Sequence, residues 1–216
     1  MADPLAPVPY PAAKRLLDKA VSLLLLTVFA PVVAVAVAAM ILDALLVPAD
    51  RGPLLYRERR ISRGREFELL KFRTLRRDAL AELRRSGGYA RLLEADEANL
   101  TWAGRRVLKR WYLDEVPQLV NVLRGDMSLV GPRAWPVVMV DEQAAAGLDY
   151  RRWAVAGLTG PAQVQKGAPD PVSAAELDLA YLARCRHSGA LRVVAGDLAL
   201  LARTVEVLAK GEGLKY

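Results

Sequence analysis

From Ala20 to Leu42 the chain runs for 23 residues without a charged side chain. As a helix rising about 1.5 Å per residue, that run reaches across the roughly 30 Å hydrocarbon of a bilayer. It is too long for the apolar core of a cleavable leader, and no small-residue cleavage site closes it. The segment is therefore a membrane helix, and the rest of the fold must be arranged around it. Two features favour a segment that dips in and returns. Pro31, near its middle, removes a backbone hydrogen bond and kinks the helix. Basic residues flank both ends, Lys14, Arg15 and Lys19 before it and a strongly basic stretch after it, so a crossing helix would leave one positive flank on the wrong side. A kinked spanning helix is the alternative, because proline is tolerated in such helices.

Charge is concentrated in one place. The formal charge is +7, from 31 basic and 24 acidic residues. Between Arg51 and Arg91 there are 13 Lys and Arg against 5 Asp and Glu, a local surplus of +8 that exceeds the whole-chain value. That segment asks for an anionic partner: phosphate, nucleic acid or lipid headgroup. A single cysteine, Cys185, excludes an internal disulfide, and with only His187 beside it a Cys/His zinc site is excluded too. Any metal here is a hard cation on carboxylates. Met1 to Pro11 carries four prolines and is expected to be a disordered or extended arm.

Leu54 to Glu58 and Glu66 to Phe72 flank Ser62-Arg63-Gly64-Arg65, the pattern of a β-hairpin with a glycine turn. Lys71 and Arg73 share one strand face and would project together, either as a phosphate clamp or as a basic strand on anionic headgroups. Arg76 to Glu97 predicts a helix with Leu80, Leu83, Leu92 and Leu93 as buried positions, interrupted at Ser86-Gly87-Gly88; no role follows for it. Trp135, Tyr150 and Trp153 fit either a headgroup belt or a core. Two further helices are expected between Pro171 and Lys210, the second with an apolar stripe through Leu191, Val194, Leu198, Leu201, Val205 and Leu208.

The densest chemistry lies between Lys109 and Arg133. Asp114 and Glu115 are adjacent carboxylates, preceded by Lys109-Arg110 and followed by Pro117, which is best placed in the first turn of a helix. At a helix start both acids can stay ionised and hold a divalent cation. An acidic N-cap before a solvated turn is the plainer alternative. Gly125 to Arg133 then forms a glycine-containing turn that ends in an arginine, with Asp126 expected to cap the turn.

Asp114-Glu115-Val116-Pro117-Gln118, followed by Gly125-Asp126-Met127-Ser128-Leu129-Val130-Gly131-Pro132-Arg133, resembles the core signature of the bacterial sugar transferases, the small monotopic phosphoglycosyl transferases. Lys71-Phe72-Arg73-Thr74 and Gly157-Leu158-Thr159-Gly160 match further blocks in the same order, so the likeness covers roughly Lys14 to Thr204. Three departures stand out. Ala30-Pro31 replaces the family's Ser-Pro pair, which leaves Thr27 as the nearest hydroxyl for the carbonyl freed by proline. Lys109 stands where arginine is usual and lacks the planar fork that grips phosphate, a loss Arg110 can offset. Ala156 replaces a proline, which is expected to loosen its loop.

The resemblance implies an α+β monotopic membrane protein: an N-terminal re-entrant helix hairpin, a β-hairpin and several amphipathic or interfacial helices. The expected division is an arm over 1–13, the membrane element over 14–47 and a cytoplasmic catalytic domain over 48–216. It implies transfer of a sugar 1-phosphate from a nucleotide diphosphate sugar, a UDP-sugar, to undecaprenyl phosphate at the cytoplasmic face of the bacterial inner membrane. Asp114 would be nucleophile and, with Glu115, ligand to Mg2+; Glu115 would serve as base or metal ligand. Lys71, Arg73, Lys109, Arg110 and Arg133 would bind phosphate, and Gln163, with Lys166, would help read the nucleotide. Membrane lipid is an expected partner and nucleic acid is not; a homodimer stays open. Two other classes remain on the sequence alone: a non-enzymatic adaptor that binds anionic lipid through residues 51–91, and a nucleotide sugar enzyme with a soluble acceptor.

Overall fold

The computed structural model describes residues 7–86, 89–165 and 173–210. It is helix-rich with little sheet. The helix α1 (Ala12–Leu46) is followed by the strands β1 (Leu55–Ser62) and β2 (Arg65–Phe72), then by α2 (Arg77–Ser86), α3 (Ala90–Glu94), α4 (Gln118–Arg124), β3 (Ser128–Val130), α5 (Val137–Ala145), α6 (Tyr150–Trp153), β4 (Gly157–Thr159), α7 (Pro161–Val164), α8 (Ala174–His187) and α9 (Ala190–Ala209).

Helix α1 contains Pro31 and continues through it. Only 11% of its most apolar window is buried by protein, and Leu24, Val28 and Val35 are more than half exposed. A soluble core helix would hide those side chains; here hydrocarbon is the environment that accepts them. Thr27 does not serve the carbonyl that Pro31 frees. Its hydroxyl donates to Leu23 O at 2.9 Å, one turn back, a bond of the kind that bends helices.

The hairpin forms as its turn chemistry requires. Arg63 and Gly64 both have positive φ, 50° and 71°, the signature of a two-residue turn whose twist matches its strands.

The chain divides into two compact units. One comprises Leu23–Glu58 and Glu68–Val120. Its core joins Ala36 and Met40 of α1 to Phe72, Ala103, Leu108 and Leu113, with Val33, Val37, Val107 and Val116 packed around them. A second cluster gathers Leu75, Ala79, Leu80, Leu83, Ala90 and Leu100 under α2 and α3. Leu80 and Leu83 are buried as the spacing predicts, whereas Leu92 is exposed. Asp43 and Asp50, at the exit of α1, accept hydrogen bonds from the Ala103 and Trp102 amides (2.9 and 3.4 Å), which ties the membrane segment to the irregular helix beginning there.

The other unit comprises Met1–Ser22, Arg59–Phe67 and Asn121–Tyr216. Its β3 and β4 pair in parallel, Ser128 opposite Gly157 and Val130 opposite Thr159. The glycines of the two motif blocks serve this close approach: a Cβ on Gly131 would lie 2.6 Å from Val155 O. Buried charges brace the sheet. Lys14 bonds Asp197, Ser128 Oγ donates to Asp18 (2.7 Å), and Tyr181 Oη donates to Val130 O (3.0 Å). Residues 7–11 of the expected arm are docked here, with Val8 buried and its N–H on Trp153 O at 3.0 Å; residues 1–6 lie outside the described ones. Ala156 is held, not loosened: its N–H, which a proline would lack, donates to Ser62 Oγ at 3.1 Å.

Candidate active site

The segment carrying Asp114 follows an unusual path. After Thr101, whose hydroxyl caps the Gly104 amide at 2.8 Å, residues Gly104–Leu108 form a π-turn and Lys109–Trp111 a 3-10 turn. Tyr112 then adopts a left-handed conformation (φ 54°, ψ 23°), and Leu113–Glu115 form a second 3-10 turn. A side chain with a Cβ in that region costs about 1–2 kcal/mol. The reversal at Tyr112 separates an exposed Trp111 from a buried Leu113, which anchors the turn in the core that includes Ala36 and Met40. The acids therefore sit in their own short turn, ahead of Pro117 and α4, and not in the first turn of α4 itself.

Asp114 is 6% exposed. Burial, then the adjacent Glu115, pushes its carboxyl up to about 7; Lys71 and Lys109 pull the other way and Glu94 adds to the rise. Glu115 is half-buried and lies 3.4 Å from Lys71 Nζ. Lys109 Nζ donates to Glu94 Oε2 at 2.7 Å, and Thr74 Oγ1 donates to Glu94 Oε1 at 2.6 Å. Burial opposes ionisation of Glu94, but Lys109, Lys71 and these hydrogen bonds outweigh it and hold the group below the usual carboxylate range. Asp114, Glu115 and Glu94 thus gather with the ammonium groups of Lys71 and Lys109.

A hard cation would relieve the repulsion between Asp114 and Glu115, the two donors on offer to it. Among the described residues no three metal-ligating side chains form a ready-made chelating group.

The expected phosphate-binding residues divide. Lys71 and Lys109 stand with the acids. Arg73 does not act as a clamp: it is 3% exposed, and Nε and Nη1 donate to Pro53 O (2.8 Å) and Leu75 O (2.7 Å) while Nη2 donates to Asp50 O. Burial lowers its pKa, and these carbonyls give it a structural task, fastening the membrane exit to β2. Arg110 is exposed, its guanidinium 5.9 Å from the Trp111 ring centre. Arg133 and Gln163 belong to the other unit. Arg133 is half-buried, bridges Gly157, and its carbonyl accepts from Arg151 Nη1 at 3.0 Å. Gln163, in α7, has neither side-chain amide atom hydrogen-bonded among the described residues. Lys166 lies outside them.

Asp126 accepts from Asn121 Nδ2 at 2.9 Å, a side-chain bond that runs back to α4. The aromatic residues settle into packing: Tyr150 is buried with its hydroxyl on Asp178 (3.0 Å), and Trp135 lies 4.0 Å under the Arg151 guanidinium. The exposed indoles are Trp102 and Trp111 instead. Sequence reasoning missed Glu94 and Thr74. Glu94 lies within a charged, helix-patterned stretch that looks like any solvated surface, and Thr74 is the last residue of a motif read for its basic members.

A family model for bacterial sugar transferases matches residues 10–211. Among curated relatives, the UDP-glucose:undecaprenyl-phosphate glucose-1-phosphate transferase of Caulobacter vibrioides is 38% identical over 165 residues, 75% of this chain and 57% of the relative. The undecaprenyl-phosphate galactose phosphotransferase of Salmonella typhimurium is 36% identical over 162 residues, 70% of this chain and 32% of the relative. The exopolysaccharide production protein ExoY of Sinorhizobium fredii is 34% identical over 164 residues, 70% of this chain and 68% of the relative. The chain thus spans little more than half of the first of these and a third of the second.

Proposed function

The chain belongs to the bacterial sugar transferase family, and from that premise we propose that it transfers a sugar 1-phosphate from a UDP-sugar to undecaprenyl phosphate, a first membrane step of glycan assembly. The observation that carries this reading is the buried Asp114 beside Glu115, flanked by two lysines, on a turn packed against the membrane helix. A water-soluble donor and a lipid-anchored acceptor must meet at the bilayer surface, and a nucleophile mounted on that helix is placed to serve both.

In the proposed route an Asp114 oxygen attacks the sugar-bearing phosphorus. The new O–P bond forms as the phosphoanhydride bond breaks, and UMP leaves with the electron pair. A phosphate oxygen of the acceptor then attacks the same phosphorus and releases Asp114 as the carboxylate. Mg2+ held by Asp114 and Glu115 would neutralise the diphosphate and stabilise the departing nucleotide. Lys71 and Lys109 bring positive charge to the same place, with Arg110 as a further phosphate contact. Glu115 steadies the cation or takes the acceptor's proton.

The anchor, residues 14–47, is read as re-entrant, with 48–216 on the cytoplasmic face of the inner membrane. The exposed apolar residues Leu191, Leu198 and Val205 of α9 suit a lipid surface. Cysteine labelling from the cytoplasmic side tests the topology: Ala13→Cys and Ala49→Cys should both react, whereas labelling from opposite faces means a spanning helix.

The reaction is tested by incubating purified protein with Mg2+, undecaprenyl phosphate and a labelled panel of UDP-glucose, UDP-galactose and UDP-N-acetylgalactosamine. Label should appear on lipid and, after rapid quenching, as a phosphosugar adduct on Asp114. Product without an adduct overturns the covalent route. Transfer to a short soluble acceptor alone reassigns the substrate, and no transfer from any donor favours a lipid-binding adaptor.

A further inference from the structure

Glu94 is the best-held carboxylate of the cluster, yet nothing in the proposed route uses it. Its side chain is 10% exposed, and both oxygens are engaged, one by Thr74 Oγ1 at 2.6 Å and the other by Lys109 Nζ at 2.7 Å. Thr74 is itself fixed. It is buried, its carbonyl accepts the Thr101 amide at 2.8 Å, and it follows Arg73, whose guanidinium is fastened to three main-chain carbonyls. Glu94 is thus tied to the frame that carries Lys71, three residues earlier on β2.

Lys109 is carried on a turn, not on a strand. It stands on a 3-10 turn between the π-turn and the left-handed Tyr112, on a flexible four-carbon stem ending in a rotatable ammonium group. Left alone it would sample many positions, and phosphate recognition would bear that entropy. An ordinary surface ion pair would leave both groups solvated and contribute little. This pair is partly buried, and the turn that carries Lys109 packs against the turn that carries Asp114 and Glu115.

We propose that Glu94 is a positioning residue: bonded to Thr74, it holds the Lys109 ammonium beside Asp114 and Glu115, where the donor's diphosphate is received. This rests on the reaction proposed above. The carboxylate cannot itself approach the diphosphate, since like charges repel; it acts through the lysine. The segment from Ala90 to Asn99 thereby gains a function as the outer wall that orders an active-site cation.

Steady-state kinetics on the full-length protein with Mg2+ and the preferred UDP-sugar test this, using Glu94→Gln, Lys109→Met and the double variant. Glu94→Gln should lower kcat/KM about tenfold, the scale of one misplaced charge contact, with its melting temperature close to wild type. In the Lys109→Met background the same change should have almost no further effect, because the residue it acts through is gone. Equal fold-losses in both backgrounds, or a loss that tracks a fall in melting temperature, overturn the proposal. If Glu94→Gln melts too low to assay, Thr74→Val, which frees one Glu94 oxygen and leaves the ion pair, replaces it in the same cycle. Absent turnover by the wild type sinks the reaction itself; an active wild type with additive variants sinks only the role of Glu94.

Discussion

In the unit containing β3 and β4, buried charges meet in hydrogen-bonded groups. Lys14 bonds Asp197, which also accepts from Tyr181 at 3.2 Å, and Arg151 Nη2 lies 2.9 Å from Asp178, which accepts from Tyr150. In the unit carrying Asp114, two acids adjacent in the chain, Asp114 and Glu115, gather with Glu94, Lys71 and Lys109. A matched buried pair satisfies its members and braces the elements they come from; removing one partner is what costs. Adjacent acids raise each other's cost of ionisation, as Glu115 does for the buried Asp114, and a cation can relieve it. The two regions use similar side chains for opposite ends, rigidity in one and reactivity in the other.

That contrast can be broken experimentally. The largest effect belongs to Asp114→Asn, which should reduce transfer by about 10^3-fold or more while leaving thermal unfolding unchanged or raised, since a buried charge is removed. Retained turnover would end the case for a nucleophile there. Next, Lys14→Met should lower stability by about 3–5 kcal/mol in denaturant unfolding, because Asp197 is left charged and buried. Lys109→Met should cost less than half as much, since Glu94 keeps Thr74 and the field of Lys71. Equal costs would erase the distinction between the units.

The pH dependence sharpens it further. The folded carboxyl of Asp114 titrates near 7, above its ordinary value of 3.8, so the fold binds this proton more tightly than the unfolded chain does. The associated stability is fully present below about 4 and is lost as pH rises through 7. Asp114→Asn should remove that slope from a pH series of melting temperatures. Turnover has the opposite sign: the ionised nucleophile gains population as pH rises toward 7, and bound Mg2+ should move the rise to lower pH.

Gly131→Ala, which drives a Cβ toward Val155 O, should cost about 1–3 kcal/mol by overpacking. Arg57→Ala, which removes an exposed pair with Glu68 on the hairpin, should cost about 0–1 kcal/mol.

The membrane helix, the hairpin and the order of the motif blocks were legible because each is written in neighbouring residues. An uncharged run, a glycine after a polar turn and two adjacent acids need no knowledge of distant contacts. The same local logic misjudged Arg73, whose basic motif suggests phosphate while its guanidinium serves carbonyls at Asp50, Pro53 and Leu75. It expected the hydroxyl of Thr27 to help Pro31, but the nearer carbonyl of Leu23 takes it. Nor could it say which aromatic residues face outward, since Trp111 and Leu113 are separated by a backbone reversal at Tyr112 that no local residue preference announces.

Sequence alone determined that this chain carries a lipid-seeking helix, a basic following segment and a paired acid between cationic residues, because hydropathy and charge are properties of the residues themselves. Only the tertiary structure decided which of the expected cations stand with that acid: Lys71 and Lys109 do, joined by the carboxylate of Glu94, while Arg73 is fastened to main-chain carbonyls. Pairings across 15 to 44 residues, Glu94 with Lys109 and Lys71 with Glu115, are selected by how the elements pack and by the cost of burying a charge without a partner.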